Sequence, residues 1–287
     1  MLEPGVVSGS PGGSAMKSEI CVWHSDGTIS VRLTCEGRVE APNWCADGAL
    51  LVNADGRLWR LAPGADRLAP VDTGFATRLN NDHVPSPDGR HIAVSDKVET
   101  GASCIYLVPI AGGTPRRITR HVPSWMHGWS PDGCEIVHAG ARDGGPVGIY
   151  LTEVATGEER CVTADFDHAD GSDFSADGAW VWFNGERDGA VDIWRIRPDG
   201  AEAEPMTSGE GVDWFPHPSP DGRHVVHLRY PPGTKGHPAD LDVALWLMPQ
   251  AGGEGHEIAR FRGGQGSLNV PCWAPDSAGF AFVRYPA

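Results

Sequence analysis

One tetrapeptide governs what this chain can fold into. Ser-Pro-Asp-Gly or a near copy begins at Cys45 (CADG), Ser86 (SPDG), Ser130 (SPDG), Ser175 (SADG), Ser219 (SPDG) and Ala274 (APDS). The successive spacings are 41, 44, 45, 44 and 55 residues. A fixed period of about 40–50 residues marks a repeat architecture, in which each copy buries its apolar face only against its neighbours.

The surroundings of each copy repeat too. A short segment ending in Trp44, Pro85, Trp129, Phe174, Pro218 or Trp273 precedes it. A β-branched apolar run such as HIAVSD or AWVWFNG comes after it. A second strand-like run is next (RLWRL, SCIYLVPI, GIYLTEV, DIWRIRP, ALWLMPQ), then a Gly-rich turn and a third run such as TPRRIT. Four strands joined by turns at this period make one blade of a propeller. The Pro presets φ in a tight turn, the Asp bonds nearby backbone N–H groups and the Gly accepts positive φ. The 38 Gly, 24 Pro and 11 Trp are thereby explained, with each Trp expected to pack blade against blade.

The ends complete the count. The last copy supplies only two strands, and EICVWHSDGTISVRLT near the N-terminus matches the missing half. The expected fold is all-β: a six-bladed β-propeller of four-stranded blades over residues 18–287, closed by N-terminal strands pairing into the C-terminal blade. Residues 1–17 are expected to form a flexible Gly/Ser/Pro tail.

Charge and targeting signals narrow the partners. The chain carries 23 Lys plus Arg against 38 Asp plus Glu, a net charge of −15. This argues against nucleic acid, whose phosphates need a basic surface, and against a polybasic membrane anchor. There is no cationic start followed by an apolar run and no spanning stretch, so a cytoplasmic location is expected. The seven cysteines show no CxxC spacing and are read as free thiols.

The repeats resemble the TolB-type propeller repeat, in which a WSPDG-like segment and a strand are followed by IY…GG…LT. EAPNWCADG, NNDHVPSPDG, HGWSPDG, DWFPHPSPDG and GGQGSLNVPCWAPDS resemble stand-alone TolB-like proteins more closely still. The chain departs from TolB proper in lacking the export signal and the N-terminal α/β domain, so the cell-envelope role of TolB is not implied.

In a propeller the strand before each SPDG turn is innermost and begins at one face of the ring. Positions five and three before the turn should therefore line a central funnel. They are Glu40 and Pro42, Asn81 and His83, Trp125 and His127, Asp170 and Ser172, Trp214 and Pro216, Asn269 and Pro271. Asn43, Asp82, Asp173, His217, Gln265 and Ser267 are near neighbours. Imidazoles, carboxylates and carboxamides converging in this way suit general acid–base work or a divalent metal. His127, His217 and Asp170 are the candidate catalytic residues. His83, His127, His217 and Gln265 are candidate ligands for one divalent ion (Mn, Zn or Ca).

Candidate ligand-binding residues are Glu40, Asn43, Asn81, Asp82 and Asn269 in the funnel, with Arg142, Arg187, Lys235 and His237 on loops at the same face. The basic loop residues would steer an anion. The longest repeat places its extra residues in RYPPGTKGHPADLD (229–242), read as a flap that brings His237 toward the cluster. The TolB-like fold resembles the propeller of oligogalacturonate lyases, which use a His/Gln-bound divalent metal and β-elimination. The expected function is binding of a small polar, anionic saccharide-type ligand, with metal-assisted lyase or hydrolase chemistry open. The alternative is a non-catalytic module that binds a protein partner. GxSxG, GxxxxGK[ST] and HExxH are absent.

Overall fold

In a computed structural model, described for residues 16–286, twenty-three strands form six antiparallel sheets. The expected tail falls almost wholly outside these residues. β1 (Lys17–His24) and β2 (Ile29–Glu36) come first. The first blade runs outward through β3 (Glu40–Trp44), β4 (Leu50–Ala54), β5 (Arg57–Leu61) and β6 (Ala69–Pro70). The second is β7 (Leu79–Pro85), β8 (His91–Asp96), β9 (Cys104–Pro109) and β10 (Arg116–Arg117). The third is β11 (Ser124–Trp129), β12 (Glu135–Ala141), β13 (Val147–Glu153) and β14 (Glu159–Cys161). The fourth is β15 (His168–Phe174), β16 (Val181–Arg187), β17 (Ala190–Ile196) and β18 (Glu204–Pro205). The fifth is β19 (Val212–Pro218), β20 (His224–Tyr230), β21 (Leu241–Pro249) and β22 (His256–Gly263).

The sixth blade closes the ring. β1 pairs with β2 on one side and with β23 (Gly279–Arg284) on the other, Cys21 facing Phe282 in the register. This covers sheet edges that would otherwise be open. The innermost segment of this blade is not a regular strand. Trp273 bridges Phe280, and Ala281 N donates to Cys272 O at 2.9 Å. Pro271 has no N–H to give, and Gly264 and Gly266 take φ of 130° and 92°, so the chain turns where the other blades run straight.

The repeated tetrapeptide makes the same turn each time. Ser86 Oγ donates to Asp88 Oδ1 at 2.6 Å and accepts His91 N at 3.0 Å. Ser130, Ser175 and Ser219 repeat the arrangement with Asp132, Asp177 and Asp221. Two indoles then tie blades together: Trp129 Nε1 donates to Val84 O at 3.1 Å and Trp273 Nε1 to His217 O at 2.9 Å. Buried apolar clusters lie between neighbouring blades. Ile20, Val22, Val52 and Val283 fill the closing junction, for example, and Val137, Ile149, Phe174 and Phe183 fill that of blades three and four. Burial of such side chains, about 25 cal/mol per Å², holds the ring.

Candidate functional site

Every regular inner strand carries a break in register just before its turn, between Glu40/Asn43, Leu79/His83, Met126/Gly128, Asp170/Asp173 and Trp214/His217. Three of these bulges use left-handed backbone four residues before the turn: Ala41 (φ 54°), Gly171 (φ 58°) and Phe215 (φ 58°). The second strand of the preceding blade holds two bulges in place. Asn184 Oδ1 accepts Phe215 N at 3.2 Å, and Ser95 Oγ accepts Met126 N at 2.7 Å. A bulge re-aims the side chains around it.

The funnel holds a cavity of about 340 Å³ at the face where the inner strands begin. Position five before the turn supplies Asn81, Trp125, Asp170 and Asn269 to its wall. Position three supplies only His127; His83 and Ser172 are buried outside the lining. Asp82, Gln265 and His237 complete the expected lining. Asn80, Val147, His168 and Phe215 line it as well, beyond the residues expected from sequence. His168 lies seven residues before its turn, so extending the same periodic count outward along the strand would have found it; Asn80, six before its turn, lies off that count.

His127 and Asp170 form the centre of the cavity's charge. His127 Nε2 donates to Asp170 Oδ1 at 2.9 Å. Burial alone would lower His127, but the hydrogen bond and charge of Asp170, with the charge of Asp82, outweigh it and raise it. Burial likewise opposes ionisation of Asp170, yet His127, and more weakly His237 and His168, hold its carboxyl well below the usual range. Asp82 has the opposite balance. Burial, helped by the charges of Asp170 and Glu40, pushes it up to about 7 against the pull of His127 and Asn80. Gln265 Nε2 donates to Asn81 Oδ1 at 3.3 Å, and Asn269 Oδ1 accepts Gly266 N at 2.6 Å.

The loop at 231–240 brings His237 into the funnel, as expected of a flap. The imidazole packs against Trp214 (4.4 Å between ring centres) and Phe215 (5.4 Å), with Nε2 3.8 Å from Asp170 Oδ2. Pro238 O secures the loop by accepting Tyr230 Oη and Gln265 N, each at 3.2 Å. Lys235 stands exposed on the same loop. The extra length of this repeat is shared with β22, which has eight residues where β10 and β18 have two.

The remaining expected residues lie elsewhere. Glu40 does not line the cavity; it pairs with Arg38 at 3.3 Å. Asn43 is buried and donates to His83 O. The rim arginines are folded back onto their own blades rather than held toward the opening. Arg142 makes two bonds to Glu159 (2.7 and 2.9 Å) over the Tyr150 ring. Arg187 lies over Phe166 and Trp194. Arg229 grips Asp213 at 2.6 and 2.7 Å over Trp246. Ion pairing thus engages the donors of Arg142 and Arg229, whereas Arg187 is held by stacking and by one bond to Asp165 O at 3.3 Å.

The four expected metal ligands do not converge. His217 has no free ring nitrogen: Nδ1 meets Asp173 Oδ2 at 3.1 Å and Nε2 donates to Leu268 O at 2.8 Å. His83 is buried behind the cavity wall, where burial pushes it down to about 4. Only His127 and Gln265 of the set line the funnel. Among the described residues no group of three or more His, Cys, Asp or Glu meets as a metal centre. A divalent ion held by His83, His127, His217 and Gln265 does not fit this arrangement, because a metal needs its donors around one point.

Comparison with known proteins places these features in a family. No family model matches the chain. A protein of Agrobacterium fabrum is 46% identical over 283 residues, covering 97% of this chain and 96% of the relative. A solved Agrobacterium tumefaciens structure described as TolB is 45% identical, with a TM-score of 0.93 over 96% of this chain and 100% of that one. An oligogalacturonate lyase solved in complex with manganese shares the fold alone: 14% identity and a TM-score of 0.51, over 78% of this chain and 66% of that one. The six blades, the SPDG turns and these two close relatives agree, and the chain belongs to the TolB-like β-propeller family.

Proposed function

We propose that the chain binds a small, hydroxyl-rich ligand of saccharide type in the funnel, where the His127–Asp170 pair hydrogen-bonds it. One observation carries this reading. The cavity presents buried polar atoms that lack a well-formed hydrogen bond within the chain, namely His127 Nδ1, His237 Nδ1 and Gln265 Oε1, beside the rings of Trp125 and Phe215. An unmet buried polar atom costs about 1–3 kcal/mol, and a ligand's hydroxyl groups would satisfy it. Aromatic faces take the apolar faces of a sugar ring, and carboxamides and carboxylates take its hydroxyls.

The charge balance favours an uncharged ligand over the expected anion. Asp170 is held ionised, His127 is raised by it and burial lowers His237, while Arg142 and Arg229 are paired with Glu159 and Asp213. The carboxylate also orients the imidazole, the arrangement a general base requires. The likeness to an oligogalacturonate lyase supports the saccharide class at the level of fold.

Calorimetric titration with mono- and oligosaccharides, uronates included, tests the proposal. One molecule of a neutral sugar should bind the wild-type chain. Trp125→Ala should weaken it about tenfold, a loss of about 1.4 kcal/mol, and Asp170→Asn should weaken it further. No binding by any sugar overturns the proposal. Binding insensitive to both substitutions also overturns it and favours the protein-interaction alternative.

A further inference from the structure

A second cavity, of about 320 Å³, opens between blades four and five, away from the funnel. The apolar seam at this junction is thin: Trp182 and Ile193 of blade four meet Val225 and Met248 of blade five, with Met206 alongside. His227 lines the cavity. It is 1% exposed, yet Nδ1 has no hydrogen-bond partner and Nε2 has only the Asp213 carboxylate, at 3.5 Å. An imidazole left in this state inside a protein calls for an explanation.

Strand register places soft donors beside it. His227 faces Trp246 across β20 and β21, and Val225 faces Met248. Residues two apart share a face of a sheet, so Met248 is the diagonal neighbour of His227, within reach of a long side chain. Met206 comes from the edge of blade four and lines the same space. Asp213 Oδ1 lies 3.5 Å from His227 Nε2, which leaves Nδ1 free. A carboxylate behind one ring nitrogen is the usual support for a metal-bound imidazole. Arg229 fixes that carboxylate through two bonds.

We propose that this cleft binds a single Cu(I) ion through His227 Nδ1 and the thioether sulfurs of Met206 and Met248. Thioethers select soft ions, and Cu(I) is the soft ion that two thioethers and an imidazole suit. The charge agrees. Asp213, Asp192, which is joined to Thr207 Oγ1 at 3.3 Å, and Glu254 of the lining outnumber Arg229, which favours a cation.

Anaerobic Cu(I) titration against bicinchoninate tests the site. The three thiols that are not buried, Cys35, Cys134 and Cys161, are first changed to serine so that they do not compete. This protein should retain one equivalent of copper, with one nitrogen and two sulfurs in its X-ray absorption shell. Met206→Leu and Met248→Leu conserve volume and should leave the melting temperature near that of the parent. Each should weaken copper binding about tenfold or more, and His227→Gln should do the same if a methionine variant fails to fold. Surrender of all copper to bicinchoninate overturns the proposal. So does unchanged affinity in the double methionine variant, or a shell of sulfur only.

Discussion

His127 Nε2 sits 2.9 Å from Asp170 Oδ1, a bond that joins the inner strands of blades three and four across the funnel. Its pH dependence has a definite sign. His127 is raised in the folded state, so its contribution is complete below the unfolded histidine value and is lost as pH rises through the folded one. Asp170 is lowered, so its contribution is complete above the unfolded carboxylate value and is lost on acidification. Asp170→Asn should therefore cost about 1–3 kcal/mol near pH 5–6, and less at alkaline pH. Urea unfolding across that range measures the difference. An NMR titration should show His127 falling below its wild-type value.

Asp82 reverses that dependence. A buried carboxyl pushed up to about 7 destabilises the fold as pH climbs from the unfolded carboxylate value through 7. Asp82→Asn removes the charge and keeps the shape. The variant should match wild type at pH 4.5 and exceed it at pH 8, by a difference on the order of a few kcal/mol. Equal stability at both pH values would contradict a carboxyl raised by burial.

Equivalent tryptophans should respond unequally. The Trp129 indole donates across a blade junction, whereas Trp44 Nε1 is buried without a partner. Trp129→Phe should lose about 1 kcal/mol for the hydrogen bond beyond the packing change shared by both. Trp44→Phe should lack that extra loss. Paired chemical denaturation curves separate the two.

His217 should behave as a structural residue. Both ring nitrogens are engaged with Asp173 and Leu268, linking the fourth, fifth and sixth blades. His217→Gln should lower stability by about 1–3 kcal/mol while leaving sugar binding within twofold. His127→Gln should weaken sugar binding. Calorimetry on the two variants distinguishes these roles.

Gly171 tests the bulge. Its φ is 58°, and an added Cβ would come within 2.7 Å of Phe215 Cδ1. Gly171→Ala should cost about 1–3 kcal/mol, seen as a lower melting temperature.

The repeat made the propeller legible because turn chemistry and strand alternation are local. Ser, Pro, Asp and Gly set each turn from within four residues, and a 44-residue period names a blade. The partnership of β1 with β23 was also readable, since half a repeat at each end has one complement. The site was legible only in part. Asn81, Trp125, His127, Asp170 and Asn269 reached the funnel on the periodic count, with their neighbour Asp82. His83 and His217 did not: His83 is buried outside the lining, and His217 is tied to Asp173 and Leu268. Arg142 and Arg187 were expected to steer an anion at the rim, but like Arg229 they lie over aromatic rings. Their neighbours Tyr150, Phe166 and Trp246 lie elsewhere along the chain, and only the folded blades bring those rings beneath the guanidinium groups.

The amino-acid sequence by itself determined six blades, their turns and the face on which a site would open, because these arise from short-range backbone preferences repeated at a constant interval. The tertiary structure decided which polar side chains stay available. Hydrogen bonds and stacking between strands and blades depend on how neighbouring sheets approach one another, and they committed His217 and the rim arginines to the scaffold. They left His127, Asp170 and His237 facing the cavity.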